Sequence, residues 1–319
     1  MKWRYYLYSL LGCVLFFSCY NEDTLTDDAS GEDLVRFEFP QGTNSWDDDV
    51  VAIKEKFNVC IIYKDFQASD LNRTWTGSIG SQTYFGEGLK SDEQAEFMIS
   101  FMKNHVFAYL NPAITQKVFP MYYYMVYDCH APFVFGPYNL KAPMKNIFDG
   151  MDYWSLCMFY GESDPTSDMF YGRLETPETP EDFWEWRGVI LYKILEKAYE
   201  KGNIIMPEEF QTGIDYRTEV ESDPGTEGNP NYYAKRGFAG SSVSFLRLDA
   251  LKKIEYTNPS KNFFAYIHLG VRYTSEELEA KHPKANNPLL WEKRQYVLNY
   301  MKTKYDLDLE AIAKIPAVN

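Results

Sequence analysis

Asp128, Cys129 and His130 stand side by side, and a carboxylate, a thiol and an imidazole are the parts of an activated nucleophile. Neighbours on a strand point to opposite faces, so a Cys129–His130 pair requires a tight turn; the alternative is a loop at a strand end. Glu196 and Glu200 are spaced i, i+4 and could serve as carboxylate ligands or as an acid/base pair. With Lys193, Lys197 and Lys201 interleaved, they read instead as a solvated helix face with i,i+3 charge pairs. The four histidines, His105, His130, His268 and His282, are scattered, and none has a His or Cys partner at metal-ligand spacing apart from the adjacent Cys129. Cys60 and Cys157 lie in apolar runs and read as small core residues.

The element that must carry much of this chemistry is the stretch Thr179 to Gly202. Thr179 is an N-cap, Pro180 occupies the first helical position, and Glu181 and Asp182 place negative charge in the first turn. Lys197 and Lys201 lie near the C-terminus, and Gly202 can take the left-handed conformation that ends a helix. Ile190, Leu191, Ile194, Leu195 and Ala198 supply its buried face.

The chain has 319 residues and a net charge of −14, with 17% aromatic residues, which predicts a packed globular protein. Ten acidic residues against one basic residue, Arg36, lie between Tyr20 and Asp49. The acidic balance excludes a nucleic-acid partner, which needs a basic face. Lys2 and Arg4 precede an apolar run, Tyr5 to Phe17, too short for a spanning helix. The run ends in Phe16-Phe17-Ser18-Cys19, which resembles the lipobox of bacterial lipoproteins. Leu11-Gly12-Cys13 fits locally but leaves a very short apolar core. The predicted organisation is a signal peptide over 1–18, an acidic tether over 19–45 and one domain over 46–319. Lipidation at Cys19 would leave Cys60, Cys129 and Cys157 in the mature domain, with no CxxC.

Along the domain, Trp46 to Asn58 predicts a helix leading into a strand at NVCIIYKDF. Ser91 to Gln94 is a capping box opening a helix to about Leu110, stopped by Asn111-Pro112. Gln116 to Asp128 predicts a strand, with Pro120 pointing to an edge or a bulge, and Asp152 to Gly161 another. After the long helix come a turn at Pro207 to Thr212, a loop over Tyr216 to Asn231, and an apolar segment from Val243 to Leu251. Helices are expected from Asn258, over Thr274 to Ala280, over Pro288 to Tyr305, and after Asp308. Strands first and helices after them predict an α+β fold.

The order and spacing of FNVCIIYKDF, KVFPMYYYMVY, VILYKILEKAYEKGNIIMPEEF, NYYAKRGFAGSS, NPSKNFFAYIHLGV and YVLNYMKTKYDLDLEAI carry a resemblance. With the lipobox and acidic tether, they resemble the bacterial substrate-import-associated zinc metallohydrolase lipoproteins, which are zincin-like metallopeptidases. The resemblance implies a zincin-like fold, with a small N-terminal sheet and helices followed by a mainly helical C-terminal half. It also implies lipid anchoring at the outer membrane or cell surface, and association with import proteins handling glycan or peptide ligands.

In active members the central helix carries His-Glu-x-x-His, two imidazoles on one helical face with a glutamate as general base. The best register here puts Lys193 and Lys197 at the histidine positions and Ile194 at the glutamate position. No histidine occurs between His130 and His268, so no slip restores the motif. The acidic third ligand expected near NPSKNFFAY is replaced by Asn262, Phe263, Phe264 and Ala265. Zinc is the family's cofactor, yet its ligands are missing, and ammonium groups repel a dication. The expectation is a pseudoenzyme acting in binding or assembly. Two alternatives differ in class: a hydrolase relocated to Asp128, His130 or the acidic loop Glu219 to Glu227, or a glycan-binding module stacking sugars on Trp75, Trp184, Trp186 and Trp291.

Overall fold

A computed structural model describes residues 36–73, 83–221, 227–249 and 258–317. The chain divides into two compact units, Met1–Phe39 and Pro40–Asn319. All strands and helices among the described residues belong to the second unit. Cys19 and Trp75 lie outside the described residues, as does part of the Glu219–Glu227 loop.

The domain is α+β, as predicted. Helix α1 (Ser45–Phe57) buries Val50, Ile53 and Phe57, and Asn58 ends it at a φ of 54°. The chain then enters β1 (Cys60–Ile62), shorter than the NVCIIYKDF run suggests, because Asp65 turns it away at a φ of 60°. After β2 (Phe85–Gly88), Ser91 caps α2 (Asp92–Phe101) through the Gln94 N–H. Only half of the expected box forms, since the Gln94 side chain accepts from Lys90 N–H instead. The helix reaches Tyr109 as predicted, but through a π-turn over 102–106 and a 3-10 turn over 107–109. Asn111 then caps a single turn, α3 (Pro112–Thr115).

Strand β3 (Tyr122–Phe135) is the centre of a six-stranded sheet. It pairs in parallel with β1 and with β6 (Tyr153–Phe159), and in antiparallel with β2 and with β4 (Tyr138–Pro143). The short β5 (Asn146–Ile147) lies antiparallel on β6. Tyr122 to Val126 are all buried, as befits a strand covered on both faces. Pro120 therefore marks no edge. It sits before the strand, which starts two residues later and runs past Asp128. Asp128, at a φ of 51°, adopts a left-handed conformation that Asp tolerates, and the register shifts beside it against both β2 and β6.

Helix α4 (Pro165–Tyr171), capped by Asp164, was not legible in advance; it packs on β4 through a hydrogen bond from Lys141 N–H to Ser167 Oγ of 2.8 Å. The long helix is α5 (Pro180–Glu200). The apolar stretch around Val243 is a two-stranded hairpin, β7 (Ser241–Ser244) and β8 (Arg247–Asp249). Then follow α6 (Pro259–Arg272), α7 (Ser275–Lys281), α8 (Pro288–Tyr305) and α9 (Leu309–Ala313). Helix α5 joins the two halves, touching the π-turn and α3 on one side and α6 and α9 on the other.

Candidate functional site

Helix α5 is fixed at its start by a complete capping box. Asp182 N–H donates to Thr179 Oγ1 at 3.2 Å, and Asp182 Oδ2 accepts from Thr179 N–H at 2.9 Å. The Thr179 N–H bond is the main reason that the Asp182 carboxyl is held below its usual range. Gly202 takes a φ of 77° beyond its end. The predicted apolar stripe is buried, Ile194 completely. Within it lies one unpredicted charge, Arg187, whose guanidinium donates to Ile312 O at 2.7 Å, to Lys314 O and to Tyr109 Oη at 3.2 Å. These bonds tie the C-terminal segment to α5 and satisfy most of a buried cation.

The face of α5 next to this stripe borders a cavity of about 420 Å³. Tyr192, Glu196, Tyr199 and Glu200 form one wall, and Ser260, Lys261 and Phe264 from the start of α6 another. Ser241 and Ser242 close it from β7. Tyr199 Oη lies 2.6 Å from Ser260 Oγ, and its ring stacks on Phe264 with centroids 5.5 Å apart. Burial raises the Tyr192 phenol to about 12, so it remains a neutral hydroxyl at ordinary pH. Gly240 brings β7 close to its partner strand. At its φ of 122°, an added Cβ would lie 2.7 Å from Asp249 O.

Lys193 and Lys197 do not line this cavity. They bridge to Glu196 and Glu200 at 2.6 Å each, the i,i+3 pairs expected from the sequence. Ile194 and Ala265 are core residues. The side chains that face the cleft at i, i+4 are thus Tyr192 and Glu196, one residue out of step with the register drawn from the sequence. Tyr192, Tyr199 and the two serines are cleft residues that sequence reasoning missed. The i, i+4, i+7 spacing of Tyr192, Glu196 and Tyr199 was the available signal.

These residues do not fit a zinc ion. Two ammonium groups and an isoleucine replace the expected ligands and base, and the cleft itself offers two carboxylates already neutralised by lysine. The nearest imidazole, His268, has both ring nitrogens engaged, Nε2 with Phe245 O and Nδ1 with Ser242 Oγ, each at 2.9 Å. Among the described residues, no three His, Cys, Asp or Glu side chains are grouped to hold a metal ion.

Ser242 and His268 do stand at nucleophile–base distance. The carbonyl of Phe245 can only accept, which places the proton on Nε2 and leaves Nδ1 to accept from the serine. Desolvation pushes this imidazole down to about 4, so it is a poor proton acceptor near neutrality. The pair is better explained as a satisfied buried contact that pins β7 to α6.

Asp128, Cys129 and His130 do not assemble into a nucleophile. His130 lies in β3 rather than in a loop, stacked on Phe85, with its Nδ1 on Asp128 O at 2.8 Å. Asp128 Oδ1 accepts from Gly161 N–H at 3.0 Å. Cys129 turns the other way into the core beside Cys157, where burial raises its thiol well above the ordinary value. His105 packs between Phe101 and Phe183, and His282 is buried against Tyr233. Of the tryptophans proposed for sugar stacking, the three among the described residues are committed elsewhere. Trp186 is buried, and the indole N–H groups of Trp184 and Trp291 donate to Ala313 O and His282 O.

No protein-family model matches the chain, and no curated protein matches it. Among solved structures, the chain is similar to one from Bacteroides caccae named "putative zinc-binding metallo-peptidase", at 11% identity and a TM-score of 0.39. The alignment covers 86% of this chain and 92% of that one.

Proposed function

We propose that this protein is a lipid-anchored, non-catalytic binding protein on a metallopeptidase-like scaffold, and that its ligand occupies the cleft between α5 and α6. The order of its sequence segments supports the scaffold, and the lipobox at Cys19 supports the anchor. One observation carries the loss of catalysis. Where the family's chemistry needs two imidazoles and a glutamate, α5 offers two lysines held in ion pairs and a fully buried isoleucine.

The cleft wall suits a polar, hydroxyl-bearing ligand such as a sugar ring. Tyr192, Tyr199 and Phe264 offer aromatic faces, while Ser241, Ser242, Ser260 and the Glu196 carboxylate offer hydrogen-bonding groups at its rim. Such a role agrees with placement at the cell surface beside outer-membrane import proteins. Titration calorimetry against a panel of neutral oligosaccharides tests it. Binding that falls at least tenfold in both Tyr199→Ala and Glu196→Gln supports the cleft; binding unchanged in both, or hydrolysis of the panel by the wild type, refutes it.

A further inference from the structure

The β3–β4 hairpin runs beyond the rest of the sheet. Its last register partner on β2 is His130, and its last on β6 is Tyr127. From Phe133 to Phe135 the strand pairs with β4 alone among the described residues. Gly136, at a φ of 57°, makes the two-residue turn that closes the hairpin between Phe135 and Tyr138. Alternation then puts Phe133 and Phe135 on one face, with Tyr138, the partner of Phe135, beside them. The end of α4 adds Met169, Phe170 and Tyr171.

These rings touch one another. Phe135 lies 5.7 Å from Phe170, Tyr138 6.0 Å from Phe170, and Phe133 6.4 Å from Tyr171. Yet they remain open to solvent, Phe135 at 54% and Met169 at 71%. A contiguous apolar cluster of this kind on a protein surface marks something that covers it. The cluster lies at the end of a hairpin that outruns its neighbouring strands, so it suits insertion into a soft apolar medium better than capture of a small ligand.

Charge favours the same occupant. The chain carries −14, yet Cys129 to Phe148 contains no Asp or Glu and includes Lys141 and Lys145. The hairpin strands thus carry no acidic group of their own, and the acids of α4 beside Phe170 are engaged locally, Asp164 with Thr166 N–H and Ser167 Oγ, Asp168 with Ser163 Oγ. Reach is also sufficient. The stretch from Cys19 to Pro40 can extend about 70 Å. Gln41 is bonded to Ile61 of β1 and to Tyr63 just after it, beside the start of β3. From Tyr124 to Phe135 is about 36 Å along the strand.

We infer that the β3–β4 tip, with Phe133, Phe135, Tyr138 and Phe170, rests in the interface of the lipid bilayer to which the chain is anchored. This holds the cleft domain in a fixed orientation on the membrane. The inference rests on acylation of Cys19.

The test uses the full chain, expressed with its own leader in a bacterium and mixed with phosphatidylethanolamine/phosphatidylglycerol vesicles. An environment-sensitive fluorophore is placed by Val134→Cys at the tip and, as a control, by Gln295→Cys at an exposed position of α8. The expected result is a blue shift at position 134, with quenching by nitroxide-labelled lipid, and neither effect at 295. Phe133→Ser combined with Phe135→Ser and Phe170→Ser should abolish the shift while the chain still floats with the vesicles. A floating chain whose tip fluorophore stays in water overturns the docking alone. A chain that does not float overturns the anchor and the docking together. A blue shift that appears without vesicles and rises with protein concentration assigns the patch to self-association, and also overturns it.

Discussion

Gly188 lies in the middle of α5, where alanine would ordinarily help. Alanine is better than glycine inside a helix by about 1 kcal/mol. Here an added Cβ would lie 1.9, 2.1 and 2.5 Å from three ring atoms of Phe245. Carbon atoms pack at about 3.5–4.0 Å, so the ring would have to retreat by about 1.5–2 Å. It has little room to do so. Phe245 is buried against Trp184 at 5.1 Å, and its own carbonyl holds His268. Overpacking of this kind costs about 1–3 kcal/mol, and the fixed ring places it at the upper end. Gly188→Ala should therefore lose about 2 kcal/mol net, or about 4–8 °C in Tm. The control is the same change in a Phe245→Ala background, where the clash is gone and only helix propensity remains. There Gly188→Ala should be neutral or stabilising by about 1 kcal/mol. Thermal and urea unfolding of the four proteins measures both. Stabilisation in the wild-type background, or equal destabilisation in both, would refute the packing argument.

Ile194→Glu buries a carboxylate without a partner and should cost at least about 3 kcal/mol in urea unfolding, whereas Lys193→Gln with Lys197→Gln should change stability by less than about 1 kcal/mol. The reverse ranking would mean that the lysine face is the packed one. The His268 imidazole sits at about 4 when folded against an ordinary 6.5, so the unfolded chain binds its proton first on acidification. Its contribution is complete above about pH 6.5 and is lost as pH falls toward 4, amounting to about 3 kcal/mol. His268→Gln should flatten the stability profile in that window, and an unaltered profile would contradict the assignment. Burial raises the Cys60 and Cys129 thiols and lifts Cys157 to about 12. Iodoacetamide at pH 8 should spare all three in the native chain and label them after unfolding; rapid native labelling of Cys129 would revive a reactive Asp128-Cys129-His130 site.

Most of the helices were legible because their signals are local. Thr179, Pro180 and Gly202 bracket α5, Asn58 and Asp308 sit at helix ends as expected, and Pro288 to Tyr305 matches α8. The sheet was less so. The bounds of β3 depend on partners from four other strands, and no run within Gln116–Asp128 announces that pairing will continue to Phe135. The β3–β4 hairpin also hid its role, because Phe133 and Phe135 look like core residues until the sheet is seen to end at His130. For the cleft, chemical type was readable but direction was not. Lys193 and Glu196 are three residues apart, and only the packing of α5 against α6 decides which of them faces the cavity.

The central proposal is that α5, though capped and packed as a long helix beside the cleft, holds no zinc. Metal analysis with native mass spectrometry of the purified chain, expressed in zinc-supplemented medium, tests it most directly. Well under one zinc per chain is predicted, with neither mass nor ligand binding altered by EDTA. One tightly held zinc per chain, whose removal by EDTA abolishes a measurable hydrolysis, would contradict the claim.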